Sequence, residues 1–280
     1  MNPAIQKISA QVDSLQDEMT TFLARLVQCP SLPGREQAAQ HFYAEKLAAL
    51  GCSPQILASK REDLENHPAF SDDFVPFDER LNVVGRWSAA SGRSDKQPAR
   101  TLILNGHMDV VPTSHESLWS ASPWSGMVQD GKLYGRGSAD MKSFVALALA
   151  HVDAALTAPI KRPLILAFSY DEEIGCLGAP SMIGEIAREL PKPAAVIVGE
   201  PTSMKVVSAH KGVRSFFVEL IGREAHSSLP EQGVSAVMEA LKLMLLIVEM
   251  GGEARASADA GSLFSPPGPT MTIGKVEGGT

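Results

Sequence analysis

The sequence of 280 residues is 44% hydrophobic and carries a formal net charge of −7, which suits one large globular domain or two smaller ones. Its mild acidity comes without a basic block, which weighs against nucleic acid as a partner. The longest purely apolar run, "LMLLIV", is about six residues, far below the roughly 18 that a membrane span needs.

The opening segment "MNPAIQKISAQVDSLQDEMTTFLARLV" mixes charges with apolar residues and has no apolar signal core, so a cytoplasmic protein is expected. Residues 4–28 have the spacing of one amphipathic helix, which "PSLPG" breaks at Pro30 and Pro33. Residues 35–50 form a second helix that stops at Gly51. The charged, proline-containing residues 58–80 are expected to be a long surface loop. "LNVVGRW" returns to strand character, and "SAASGRSDKQPAR" is a turn or loop. Three apolar strands follow. "TLILNGHMD" ends in Gly106-His107, "PLILAFSYDEE" ends in acids and "PAAVIVGE" ends in Gly199-Glu200. Helices lie between them, near 140–156 and 178–190. Continuous apolar strands separated by helices imply an α/β fold, with a mostly parallel sheet covered by helices on both faces. Ligands of such sheets bind beyond the carboxyl ends of the strands, where all three strands carry a metal-capable residue. Beyond residue 212, "VRSFFVELIG", the helical "GVSAVMEALKLMLLIVEM" and "TMTIGKVEGG" have the β-α-β pattern of the start of a smaller α+β domain.

Each candidate site residue has an ordinary structural reading beside a chemical one. His107 and Asp109 are two apart in an extended segment and so share a side. The aspartate can then fix the ring while the other nitrogen takes a metal, or it can simply cap a turn. Asp140 precedes an apolar helix and is either its cap or a carboxylate bridging two ions about 3.5–4 Å apart. Gly135 and Gly137 allow close backbone approach there. Glu172 and Glu173 are either acids at a helix start or a division of labour. In extended chain neighbours face opposite ways, so one can meet a metal and the other a water. Glu200 is either a turn acid or a ligand. Taken together, the four points lie around one edge of one sheet. Oxygen donors with few histidines suit a pair of hard or borderline divalent ions, zinc among them. Cys29, Cys52 and Cys176 form no C-x-x-C pair, which argues against a disulfide frame or a thiolate zinc site. His41, His67, His115 and His151 have only helix or loop positions, and His210 lies beside the connection between the domains.

"NGHMDVVP", "DGKLYGRGSADMKS", "DEEIG" and "VGEPTSMKVVSAHKG" resemble, in order, the signatures of a family of di-zinc metallohydrolases. That family includes acetylornithine deacetylase, succinyl-diaminopimelate desuccinylase, aminoacylase and carboxypeptidase G. "SAHKGV" and "AHSSLPEQGVSAV" are most similar to the acetylornithine deacetylases. The resemblance implies a zinc-exopeptidase-like catalytic domain over residues 1–211 and a lid or dimerisation domain over 212–280. It implies two divalent ions, Zn2+ with Co2+ as an alternative. His107 and Glu200 hold one, Glu173 the other, and Asp140 bridges them. Glu172 becomes general base and then acid, and Asp109 orients His107. His226, within "GREAHSSLPEQGVSAV", matches a histidine that reaches across a homodimer to the substrate carbonyl. The implied reaction is hydrolysis of the amide of an N-acyl amino acid, N-acetylornithine first among them. A related N-acyl-amino-acid or succinyl-diaminopimelate deacylase, or a dipeptidase, is the alternative. In that family the second metal takes a final histidine from a returning C-terminal segment, and here none follows His226. The sequence is therefore expected to be a C-terminally shortened version with an under-liganded second metal and poor activity. A non-catalytic binding module stays open as a different class of function.

Overall fold

The computed structural model describes residues 3–66, 70, 79–89, 101–189 and 193–279. His67 and most of the two loops expected over 58–80 and 88–100 lie outside the described residues. Two compact units make up the chain, Met1–Met204 and Lys205–Thr280.

The first unit opens with α1 (Pro3–Ser14) and α2 (Gln16–Val27) rather than one continuous helix. The Ser14 hydroxyl donates to Gln11 O at 2.7 Å, and Leu15 N–H reaches only back to Val12 O. A serine that bonds its own helix backbone competes with the regular ladder. Helix α3 (Gln37–Ala49) ends before Gly51. The chain continues through β1 (Gln55–Ala58), the single turn α4 (Arg61–Leu64), β2 (Leu81–Trp87) and β3 (Leu102–His107). Strand β1 and turn α4 fall at and just inside the start of the segment read as loop. A short hairpin follows, β4 (Met127–Gln129) and β5 (Lys132–Tyr134), then α5 (Lys142–Leu156), β6 (Leu164–Ser169), α6 (Gly178–Glu189) and β7 (Ala195–Val198).

The sheet order is β1-β2-β6-β3-β7. Strands β6, β3 and β7 are parallel neighbours. Strand β2 runs antiparallel to β1 and β6, so four of the five strands point one way. Successive side chains of each strand feed opposite layers. Val83, Leu166 and Phe168 join Phe22, Leu26, Tyr43, Leu47, Val145 and Leu149, which places α2, α3 and α5 on one face. Val84, Ile103, Ile165 and Ala167 meet Met182 and Ile186 of α6 on the other. Buried on both faces, β6 reads as a nearly unbroken apolar run for that reason.

In the second unit, α7 (Ala236–Ala256) is capped by the Ser235 hydroxyl, which accepts from Met238 N–H at 3.3 Å. The strands expected over 213–222 and 270–279 are not formed among the described residues. One isolated bridge, Arg223 with Val234, is the pairing present there. Alternation gives a segment two faces, but a strand exists only when its peptide groups find a neighbour. Phe216 and Phe217 accordingly stand 85% and 98% exposed. No helix among the described residues is long and apolar enough to cross a membrane.

Phe168 is fully buried, packs edge-on to Tyr43 at 5.0 Å and touches Phe144. Replacing it with alanine is expected to cost about 3–5 kcal/mol through lost transfer energy and a residual cavity, measured by denaturant unfolding of the variant against the unaltered chain.

Candidate metal centre

Because β6, β3 and β7 are parallel neighbours, their carboxyl ends open at one edge. His107 is the last residue of β3, the turn Glu172–Gly175 follows β6, and Glu200 follows β7. Asp140 reaches the same edge just ahead of α5. Two glycines permit this approach. A Cβ on Gly106 would come within 2.4 Å of the Met141 side chain, and one on Gly137, whose φ is +79°, within 2.5 Å of Val110. Met141, not Asp140, occupies the cap position of α5, and no side chain caps that helix. The Asp140 carboxylate therefore faces the edge instead of serving the helix.

His107 is almost wholly buried, and its Nε2 is the hub. It lies 3.4 Å from Asp140 Oδ1, 3.6 Å from Glu200 Oε1 and 3.7 Å from Glu172 Oε2. Its Nδ1 is 2.9 Å from the carbonyl oxygen of Asp109 and 3.3 Å from its carboxylate. A proton on Nδ1 satisfies that carbonyl and leaves the Nε2 lone pair, in the neutral ring, for a cation among the acids. The buried Asp109 carboxylate is also the acceptor for two consecutive peptide groups, Glu172 N–H at 3.0 Å and Glu173 N–H at 2.9 Å. One carboxylate thus ties the end of β3 to the turn after β6.

The two glutamates do not divide by strand alternation, because the chain leaves the extended state before them: Asp171 has φ +49°. Glu172, read as the base, is the one beside the histidine. Ligand atoms of His107, Asp140 and Glu200 all lie within 4.8 Å of one another, and Glu173 is not among that group. It stands close enough to be affected by the same charges. Burial raises its pKa, the His107 charge opposes, and Asp140, Asp109 and Glu172 raise it further. Glu200 is raised in the same way. On His107, burial works against protonation, but the hydrogen bond to Asp109 and the charges of Asp109, Glu172 and Glu200 outweigh it and bring the ring to about 9. Burial and Glu172 push the Cys176 thiol up to about 11, so without a metal it is protonated near neutrality. His226 belongs to the second unit, where its Nδ1 lies 2.8 Å from Ser228 Oγ and accepts from Ser228 N–H at 3.2 Å.

Three carboxylates converging on one imidazole nitrogen form a donor set that suits a divalent cation, with one nitrogen and several hard oxygens. The model of the peptidase family M20/M25/M40 matches residues 103–279. The chain belongs to this family. Similar proteins include the acetylornithine deacetylases of Buchnera aphidicola subsp. Acyrthosiphon pisum (strain Tuc7), 32% identical over 209 residues, and of Pasteurella multocida, 35% identical over 213. The matches cover 74% and 75% of this chain but 51% and 52% of those proteins, so this M20 chain spans about half the length of the relatives it matches. The dipeptidase Dug1p of Saccharomyces cerevisiae shares the fold. Its TM-score is 0.56 at 19% identity, over 71% of this chain and 42% of that one.

Two structural features near the candidate site in the chain went unread in the sequence. Asp130 and Gly131 both have positive φ and close the β4–β5 hairpin, which precedes Asp140 in the chain. An Asp-Gly pair between short apolar stretches is the signal that finds such a turn. Lys142 is buried and donates to Leu26 O at 3.0 Å and Cys29 O at 2.9 Å, which moors the start of α5 to the end of α2. Burial lowers its pKa to about 8. A lysine inside "MKSFVALALA" was the clue, since a buried ammonium demands carbonyl partners.

His107 must lose its proton to bind a cation. Zn2+ affinity should therefore rise with pH, by about tenfold per unit, and level off as the pH passes about 9. Calorimetric titration over a pH series reads this directly. In Asp109→Asn, one acceptor oxygen becomes a donor facing a peptide N–H. Stability is expected to fall by about 1–3 kcal/mol and metal affinity by about 10- to 100-fold, seen in denaturant unfolding and metal titration.

Proposed function

We propose that this chain carries the catalytic metal centre of an amide hydrolase acting on N-acyl amino acids, with N-acetyl-L-ornithine as substrate and L-ornithine and acetate as products. The observation that carries the reading is the convergence of Asp140, Glu172 and Glu200 on His107 Nε2 at the sheet edge. Membership of the M20 family and the names of the similar bacterial proteins support the reaction and the substrate.

In this reading residues 1–211 form the catalytic domain and 212–280 belong to a lid through which two copies pair. His107 and Glu200 would hold one divalent ion and Glu173 a second, with Asp140 available to both. Zn2+ is the proposed metal, and Co2+ fits the same donors. Such ions supply polarisation of the acyl carbonyl and a lowered pKa for water. Glu172 accepts the proton of the attacking water as the new C–O bond forms. It returns that proton to the nitrogen as the C–N bond breaks, so the amine leaves neutral. Asp109 keeps His107 in one tautomer throughout. His226 of a second copy is proposed to donate to the developing oxyanion. The Ser228 N–H on its Nδ1 supports this role, because the neutral ring then carries its hydrogen on Nε2.

Glu172→Gln is expected to lower the deacetylation of N-acetylornithine by the chain by about 100-fold or more while it still binds Zn2+. Release of ornithine and metal analysis of the same sample check this, and an unchanged rate would remove Glu172 from its role. With Asp140 and Glu173 as the proposed protein ligands of the second ion, binding stoichiometry should lie nearer about one tight Zn2+ per chain than two. Succinyl-diaminopimelate and a dipeptide in the same assay separate the proposed substrate from its alternatives.

A further inference from the structure

Beneath the turn that carries Glu172 and Glu173 lies a fully buried group of charged residues that the proposed chemistry does not use: Glu36, Arg80 and Asp171. The strand register brings two of them together. Strand β2 pairs with β6 so that Val83 faces Phe168, and continuing that register outward sets Arg80 opposite Asp171. Arg80 Nη1 donates to Asp171 Oδ2. The other carboxylate oxygen of Asp171 accepts Gly34 N–H at 2.7 Å. Glu36 Oε1 accepts the same Gly34 N–H at 3.1 Å and also Asp171 N–H at 3.1 Å.

These bonds have a consequence for the site. The peptide N–H groups of residues 171, 172 and 173 all donate to buried carboxylates, the first to Glu36 and the next two to Asp109. The positive φ of Asp171 is held from the side-chain end by Arg80 and Gly34 and from the backbone end by Glu36. The loop that supplies Gly34 is fastened to the end of β3 as well. The Ser31 hydroxyl donates to Met108 O at 2.7 Å, and Val110 N–H donates to Ser31 O at 2.9 Å. The loop "PSLPG", a helix breaker by sequence, thus braces two neighbouring strand ends.

We propose that Glu36, Asp171 and Arg80 are positioning residues that set the direction of the Glu172–Glu173 turn, and with it the binding of divalent ions at the sheet edge. The electrostatics of Glu36 agree with this. Burial, with the charges of Asp171 and Asp109 adding to it, pushes Glu36 up to about 9. Burial also raises Asp171, but the Arg80 guanidinium pulls it back. Near neutral pH Glu36 therefore keeps its proton, while Asp171 lies against the Arg80 guanidinium. A neutral Glu36 accepts peptide N–H groups without adding a further negative charge beside Asp109.

The inference rests on the proposal that the edge binds divalent ions, and the test keeps the two apart. Co2+ is titrated into the full chain and into Asp171→Asn, Glu36→Leu and Glu36→Gln. Binding is followed by calorimetry and by the visible Co2+ spectrum, and folding by circular dichroism. Folded Asp171→Asn and Glu36→Leu should bind Co2+ about 10- to 100-fold more weakly, with an altered spectrum. Glu36→Gln, whose amide oxygen can accept the same two N–H groups, should restore most of the loss. Its unfolding free energy should also lack the decline that Glu36 imposes as pH rises from 4.5 towards about 9. Wild-type affinity and spectrum in the two weakened variants would overturn the proposal. If Asp171→Asn does not fold, Glu36→Leu decides. Unfolding of both assigns the group to the fold alone and overturns the positioning role. Absence of Co2+ binding by the unaltered chain overturns the functional reading itself.

Discussion

Repulsion among carboxylates is the constraint on which the rest of this structure depends. Asp109, Asp140, Glu172, Glu173 and Glu200 crowd around one buried imidazole; the acids raise the pKa of His107, and burial, with the neighbouring acids adding to it, raises those of Glu173 and Glu200. Like charges this close are tolerable only when each has a compensating donor or when a cation enters among them. The fold answers in two ways. Where a carboxylate is fully buried, as Asp109 is, backbone N–H groups converge on it. Where carboxylates are partly exposed, as at Asp140, Glu172 and Glu200, they are left pointing at one nitrogen. The first set is satisfied within the protein, and the second is suited to an ion.

The architecture makes the crowding feasible. A parallel arrangement of β6, β3 and β7 sends three chain reversals to the same edge, so acids distant in sequence meet without any of them interrupting the core. The helical layers on either side hold the strands in register. The antiparallel strand β2 adds what a purely parallel sheet would lack, because its start lies at the same edge as the end of β6. That delivers Arg80 to Asp171.

Legibility followed the range of the interactions. The strands 102–107 and 164–169 could be read because burial demands continuous apolar runs; 195–198 carries the same apolar signal although its side chains stand exposed at the sheet edge. Helices α3, α5 and α6 were legible from their apolar spacing. The break between α1 and α2 at Leu15 was hidden, since it turns on one serine hydroxyl. In the second unit, alternation predicted strands at 213–222 and 270–279 that are not formed. Alternation reports which side of a segment is apolar and says nothing about whether a partner strand is present. Glu172 and Glu173 were assigned opposite directions by extended-chain geometry. The left-handed Asp171 cancels that argument, and nothing in "YDEE" announces it.

What the sequence by itself determined is the inventory and the fold class: an α/β sheet whose strand ends bear His107, Glu172, Glu173 and Glu200, with Asp140 before the intervening helix. Those features depend on residue types and on local periodicity. Only the tertiary structure decided which acids meet His107 Nε2, that Asp109 holds two peptide groups besides the ring, and that Glu36, Arg80 and Asp171 form a buried group under the turn. These depend on register and on contacts between residues distant in sequence, 63 and 64 residues apart at Asp109 and 91 to 137 apart within the buried group. No local pattern encodes such distances, because they arise only once the β2–β6 pairing and the loop before α3 are in place.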